Sequence, residues 1–109
     1  MTVLEVLKME LKGLRGYEDN ELLVYLENND LAHSDKYNKS MRIQILRTAL
    51  DVLSSMANNQ SYFANKQHED LNISDFATNL QNRIDQLTIQ IRKLKAEQSN
   101  SSTFVMFRE

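Results

Sequence analysis

The feature that most constrains this chain is what it lacks. Its 109 residues include no proline, and its two glycines, Gly13 and Gly16, stand together near the start. Proline in a helix interior costs about 3 kcal/mol and glycine about 1 kcal/mol relative to alanine. Beyond Gly16 the chain can therefore be helical wherever its pattern of apolar residues permits.

That pattern is helical along most of the chain. Thr2 and Glu5 have capping-box spacing, and Val3, Leu4, Leu7, Leu11 and Leu14 recur on one helical face. A first helix is expected over Thr2 to Lys12, ended by Gly13 in the left-handed conformation. Asp19 is the expected N-cap of a second helix, Asn20 to Asn28, with Leu22, Leu23 and Leu26 inward. Asn28, Asn29 and Asp30 compete for backbone hydrogen bonds and stop it. A polar loop, Leu31 to Lys39, follows.

Ser40 is the expected cap of a third helix, Met41 to Gln60. Ile43, Leu46, Leu50, Leu53 and Ala57 form one stripe, and Ile45, Ala49, Val52 and Met56 form a second beside it. Two adjoining stripes make a wide apolar face, so this helix is expected at the centre of the domain. The polar stretch Asn58 to Asn72 holds Tyr62, Phe63 and Ala64; the helix is expected either to fray near Asn58 and Asn59 or to continue to about Ala64, with a loop around Lys66 to Asn72.

Ser74 is expected to open a long last helix reaching Gln98, with Asp75 in its positive first turn. Ala77, Ile84 and Ile91 share one heptad register, and Leu80, Leu87 and Leu94 share another. Isoleucine at one seam position and leucine at the other suits a two-stranded coiled coil. Phe76 and Ile89 lie outside that seam and widen the apolar face, which favours packing within the domain or within a larger assembly. Arg92, Lys93 and Lys95 are expected in the last turns, where cations complement the helix dipole.

After Gln98 the composition changes. Ser99, Asn100, Ser101 and Ser102 read as a flexible polar linker. Thr103, Phe104, Val105, Met106 and Phe107 then form an apolar, β-prone segment, an unusual way to finish a chain whose ends are ordinarily polar. As a strand it is apolar on both faces, so it is expected to dock on a partner by strand addition. The fold class is thus all-α: a small bundle of about four helices with a long C-terminal helix and an extended apolar tail. Residues 1–98 form the helical bundle domain, and 99–109 form the linker and docking tail.

Composition narrows function by exclusion. The absence of cysteine removes disulfides, thiolate catalysis and thiolate metal sites. A net charge of −2, with both signs interspersed, argues against a chain that wraps DNA or lies on an anionic membrane. No apolar run reaches the roughly 18 residues of a membrane span, and acids interrupt the first apolar stretch, unlike a signal peptide. His33 and His68 lie far apart in polar stretches, Glu69 and Asp70 are the nearest carboxylate pair, and Gly13-Leu14-Arg15-Gly16 lacks the lysine of a phosphate loop. No enzyme activity, metal or cofactor is expected. Gln81, Asn82, Arg83, Gln86 and Gln90 line a polar side of the last helix that reads better as a solvated face than as a base-reading one.

The order of elements carries a resemblance. Tyr17-Glu18-Asp19-Asn20-Glu21-Leu22-Leu23, then Arg42-Ile43-Gln44-Ile45-Leu46-Arg47-Thr48-Ala49-Leu50, then Leu71-Asn72-Ile73-Ser74-Asp75-Phe76 leading into Leu80-Gln81-Asn82-Arg83-Ile84-Asp85-Gln86-Leu87, resembles the tailed-phage head–tail connector proteins, also called adaptor or head-completion proteins. The likeness covers about residues 3 to 95 and lies in helix layout and length; the stretch from Asn58 to Asn72 matches no feature of the family. It implies a non-catalytic subunit of a homo-oligomeric ring, commonly of about twelve copies, set between the portal protein and a tail-side neck or stopper protein. DNA passes through such a ring without specific binding. The implied location is the virion neck, and the host cytoplasm during assembly. By the same resemblance the segment Thr103 to Phe107 reaches the portal or a neighbouring subunit. The alternative is a small coiled-coil interaction or regulatory protein that dimerises through Leu80, Ile84, Leu87, Ile91 and Leu94.

Overall fold

The computed structural model describes residues 1–14, 16–59 and 73–108, with the backbone alone at 73–74 and 99–108. Its α-helices are α1 (Val3–Glu10), α2 (Asp19–Asn28), α3 (Arg42–Ala57) and α4 (Ile73–Arg108), with a short 3-10 helix at Lys39–Met41. The fold is all-α, as the helical periodicity requires. Among the described residues the one β-type pairing is a single bridge between Thr2 and Lys36.

α1 and α2 begin where side chains take up backbone N–H groups of the first turn. At α1 the expected capping box forms. The Thr2 hydroxyl accepts from the Glu5 N–H at 3.3 Å, and the Glu5 carboxylate accepts from the Thr2 N–H at 2.9 Å. α1 stops at Glu10, and Lys12 and Gly13 then both take positive φ, 54° and 79°. The expected N-cap of α2, Asp19, lies instead inside its first turn. Glu18 is the N-cap, and its N–H donates to the Glu21 carboxylate at 2.9 Å. The Glu21 carboxylate thus reaches back to the N-cap backbone, the N3 half of a capping box. α2 ends at Asn28; Asn29 donates to the Tyr25 carbonyl at 3.1 Å, and Asp30 takes a left-handed φ of 62°.

The loop after α2 fastens the N-terminus. Val3 and Leu4 donate their N–H groups to the carbonyls of Asp35 and His33, and Tyr37 donates to the carbonyl of Met1. Leu31 anchors the loop in the core. The expected Ser40 cap of α3 is replaced by the 3-10 turn, whose own cap is Asn38; its carboxamide oxygen accepts from the Ser40 N–H at 2.9 Å. α3 ends at Ala57 with Asn58 and Asn59 in a turn, the earlier of its two expected ends. The expectations for Tyr62, Phe63, Ala64 and the loop at 66–72 lie outside the described residues, as does the side chain of Ser74.

α3 is the central helix. It packs against α1, α2 and α4, most extensively against α4. Both predicted stripes meet core except at Ile43: Ile45, Leu46, Ala49, Val52, Leu53 and Met56 are buried, Leu50 and Ala57 are partly buried against them, and Ile43 lines an open groove instead. Thr48 is buried as well, its hydroxyl spent on the Gln44 carbonyl at 2.7 Å. α1 adds Val3, Val6, Leu7 and Leu11, and α2 adds Leu22 and Leu26.

The largest departure from the sequence reading is in α4. It runs without a break to Arg108, so residues 99–107 are helical where a linker and an extended strand are expected. Serine and asparagine lower helix propensity by only a few tenths of a kcal/mol each. Extending an existing helix avoids the costly nucleation step that a new one must pass. With neither proline nor glycine after Gly16, nothing stops the helix. It follows that Arg92, Lys93 and Lys95 lie well inside α4 rather than at its end, and the dipole no longer accounts for their placement. At 1.5 Å per residue α4 is about 54 Å long, close to the 58 Å longest dimension of the molecule.

The capping box makes α1 sensitive to acid. Its hydrogen bonds to Thr2 hold the Glu5 carboxyl below its ordinary value. A carboxyl depressed in the folded state adds stability that is full above the unfolded pKa and is lost as pH falls through the folded value. Amide exchange at Val3 to Glu5 is expected to accelerate as pH drops below the ordinary carboxylate range, after correction for intrinsic rates. The Glu5→Gln variant is expected to lack that step, and an unchanged profile in the variant would show that Glu5 is not its source.

Candidate functional surface

The seam residues of the last helix are placed first. Leu80, Leu87 and Ile91 are buried, and Ile84 and Leu94 are partly buried against the same core. Phe76, outside the strict heptad, is fully buried, whereas Ile89 is 60% exposed and adds nothing to the inward face. The inward face therefore follows Phe76, Leu80, Arg83, Leu87 and Ile91, and its apolar members are spent inside the chain.

Arg83 is the residue that sequence reasoning misread. Its neighbours in sequence put it on a solvated polar side, yet it is only 6% exposed. Its Nε donates to the Glu10 carbonyl at 2.9 Å, and its Nη2 donates to the Glu10 carboxylate Oε1 at 2.7 Å. Nη1 donates to the Gln86 side-chain oxygen at 3.1 Å. Arg42, at the start of α3, approaches the other Glu10 oxygen at 3.8 Å. One carboxylate at the end of α1 thus joins three helices. The guanidinium also takes up a carbonyl from the end of α1, where the helix leaves its last acceptors unpaired and its dipole is negative. Glu10 and Arg83 are 73 residues apart, and no periodicity in the sequence links them.

A second polar contact closes the connection between α1 and α2. The Tyr17 and Ser55 hydroxyls are hydrogen-bonded to each other, and the Tyr25 hydroxyl donates to that of Tyr17 at 3.3 Å. The two tyrosine rings lie 5.4 Å apart, tilted by 55°. Burial raises the Tyr17 phenol above its ordinary value. The cluster fastens the segment before α2 onto α3. Nearby, Lys8 pairs with Asp19 at 2.7 Å on an exposed surface, where such a pair is worth about 1 kcal/mol or less.

A broad concavity lies at the other end of α3. It is an open groove of about 1030 Å³ between the 3-10 turn with the start of α3 on one wall and the Leu94 to Gln98 stretch of α4 on the other. Tyr37, Ile43 and Leu94 supply apolar surface, and Lys39, Arg42 and Glu97 supply charge. Past this groove α4 carries the predicted docking residues Thr103, Phe104, Val105, Met106 and Phe107; their backbone is helical, and their side chains lie outside the described residues.

Among the described residues no group of three or more metal-ligating side chains comes together. His33 is exposed in the loop after α2, and His68, Glu69 and Asp70 lie outside the described residues. Among the described residues, no helix is long and apolar enough to cross a membrane. The chain matches no family model, no curated protein and no solved structure.

Because Leu87 is core, its loss is felt by the single chain. Leu87→Ala is expected to cost about 2–5 kcal/mol, as for other buried leucines, with the same loss at low and high protein concentration. Urea unfolding at two concentrations tests this; a loss that grows on dilution would mean that Leu87 serves an interface instead.

Proposed function

We propose that the chain is a head–tail connector subunit: a structural wedge that joins copies of itself into a ring below a portal and extends the DNA channel toward the tail. The observation that carries this reading is a small helical body with one long helix that continues past it into an apolar segment, Thr103 to Phe107. The order and length of the helices, which resemble that family, support it.

The division of labour follows from the packing. α1, α2 and α3 with the first part of α4 form the rigid body, and the end of α4 is the attachment element. Many copies, each held by one apolar segment, bind together far more tightly than any one alone. A net charge of −2 with mixed surface charge suits a channel through which DNA slides, because phosphate binding needs clustered cations. The rival reading, dimerisation through the heptad helix, would require Leu80 and Leu87 to face a partner, and both are buried in their own chain.

Removal of Thr103 to Glu109 tests the attachment role. The truncated chain is expected to keep its melting temperature, to lose only the helical signal of residues 103–108, and to lose binding to portal-bearing heads that lack this protein. Normal attachment of the truncated chain would overturn the role given to the segment.

A further inference from the structure

The two walls of the groove are held in different ways. Leu94, Glu97 and Gln98 belong to α4, which is fastened by its packing on α3. The facing wall is tied to α1 at two places. The Tyr37 N–H donates to the Met1 carbonyl at 3.0 Å, and the Arg42 guanidinium stands 3.8 Å from the Glu10 carboxylate. One tie lies just before α1 and the other is its last residue. Between them Lys39 and Ser40 are exposed and Met41 is only partly buried, so the wall leans on α1.

α1 has little existence apart from these contacts. It has eight residues, and an isolated helix below about 12–15 residues is marginal in water. It is helical because Val3, Val6 and Leu7 are buried where it packs on α2 and α3. Its first N–H groups are spent outside it: Val3 donates to the Asp35 carbonyl at 2.9 Å and Leu4 to that of His33 at 3.3 Å. Among the described residues, the internal backbone hydrogen bond of that loop is Asp35 to Ala32. Undocking α1 therefore frees the loop, and undocking the loop leaves the first turn of α1 without acceptors. At the other end Glu10 is the carboxylate partner of Arg83, which is 6% exposed. Losing it strips a buried guanidinium of its counter-charge, so that end of α1 is not free to fray ahead of the rest.

We propose that α1 is a latch for the groove: α1, the loop from Ala32 to Asn38 and the 3-10 turn Lys39–Met41 open together in one step, while α3 and α4 stay packed on each other. Openings of this kind take in contiguous structure and lie below global unfolding in free energy. By linkage, a ligand that binds the formed groove holds α1 down by the same factor that docking of α1 favours the ligand. The latch is independent of the role proposed for the end of α4.

Native-state hydrogen exchange of the full chain, in low concentrations of guanidinium chloride, tests this. The amides of Val3, Leu4, Leu11, Tyr37 and Met41 are expected to share one opening, with a common free energy and denaturant dependence, below that of Val52 in α3 and Leu87 in α4. Glu10→Ala is expected to speed exchange at Val3, Leu4 and Tyr37, beyond the far end of α1, at least about tenfold, and at Val52 and Leu87 less than about twofold. Glu10→Gln keeps an acceptor for Arg83 and drops the charge, so it is expected to speed the same amides by less. Tyr37 exchanging together with Val52, or through an opening separate from that of Val3, would overturn the proposal. So would variants in which Leu11 accelerates and Tyr37 does not. If Glu10→Ala fails to fold, the original chain and Glu10→Gln decide the matter by the same comparison.

Discussion

Everything in this domain depends on burying α3. It is the one helix among those described that packs against each of the other three. A helix with two adjoining apolar stripes cannot be covered by one neighbour, since a single helix contact hides only part of its circumference. α1 and α2 therefore pack on α3 together and touch each other, while α4 takes the largest share. The polar groups that fall on the buried faces are paired locally. Thr48 returns its hydroxyl to the carbonyl one turn back, which keeps an interior hydroxyl from costing the penalty of an unmade hydrogen bond.

Hydrophobic burial does not by itself fix how α1 sits relative to α4. The Glu10 and Arg83 contact supplies that directional constraint. A guanidinium reads position well, because its donors are held in a rigid planar fork. Here the fork uses one donor on the carbonyl and another on the carboxylate of the same residue. Burying a charge pair is costly and often gives little net stability over an apolar pair of the same shape. What it gives is a single permitted register, since a slip of α4 by one residue would leave Arg83 buried and unpaired. Arg42 adds a second cation to Glu10 from the start of α3. The clamp thus ties the end of α1 and the start of α3 to the first third of α4, the same helix that forms one wall of the groove.

Much of this was legible in the sequence because it is local. The capping box of α1, the left-handed Gly13, the stop after Asn28 and the double stripe of α3 are all set by residues within a few positions of one another. The errors come where distance matters or where two local signals compete. Glu18 displaced Asp19 as a cap because Glu21 stood where its carboxylate could reach back. Phe76 and Arg83 lie off the ideal heptad, yet the straight helix turns a broader inward face than a coiled-coil seam. Nothing near Arg83 in the sequence names Glu10 as its partner. The groove was wholly illegible, since its walls come from the segment after α2 and from the far part of α4.

The end of the chain shows why residue type alone misleads. Phe104, Val105 and Phe107 favour strands, but that preference describes a fit to a half-buried pleated surface rather than an intrinsic backbone demand. An isolated strand needs partners for its backbone groups, whereas a continuing helix satisfies its own. The helix that precedes this segment is already formed, so local hydrogen bonding decides the backbone. This changes the character of the proposed attachment. A strand on a flexible linker would search widely and pay ordering entropy when it docks. A helix continuous with the body presents its apolar turn at a fixed distance and direction, so less is lost on binding. The same rigidity narrows the set of partners to those whose receptor lies where α4 points.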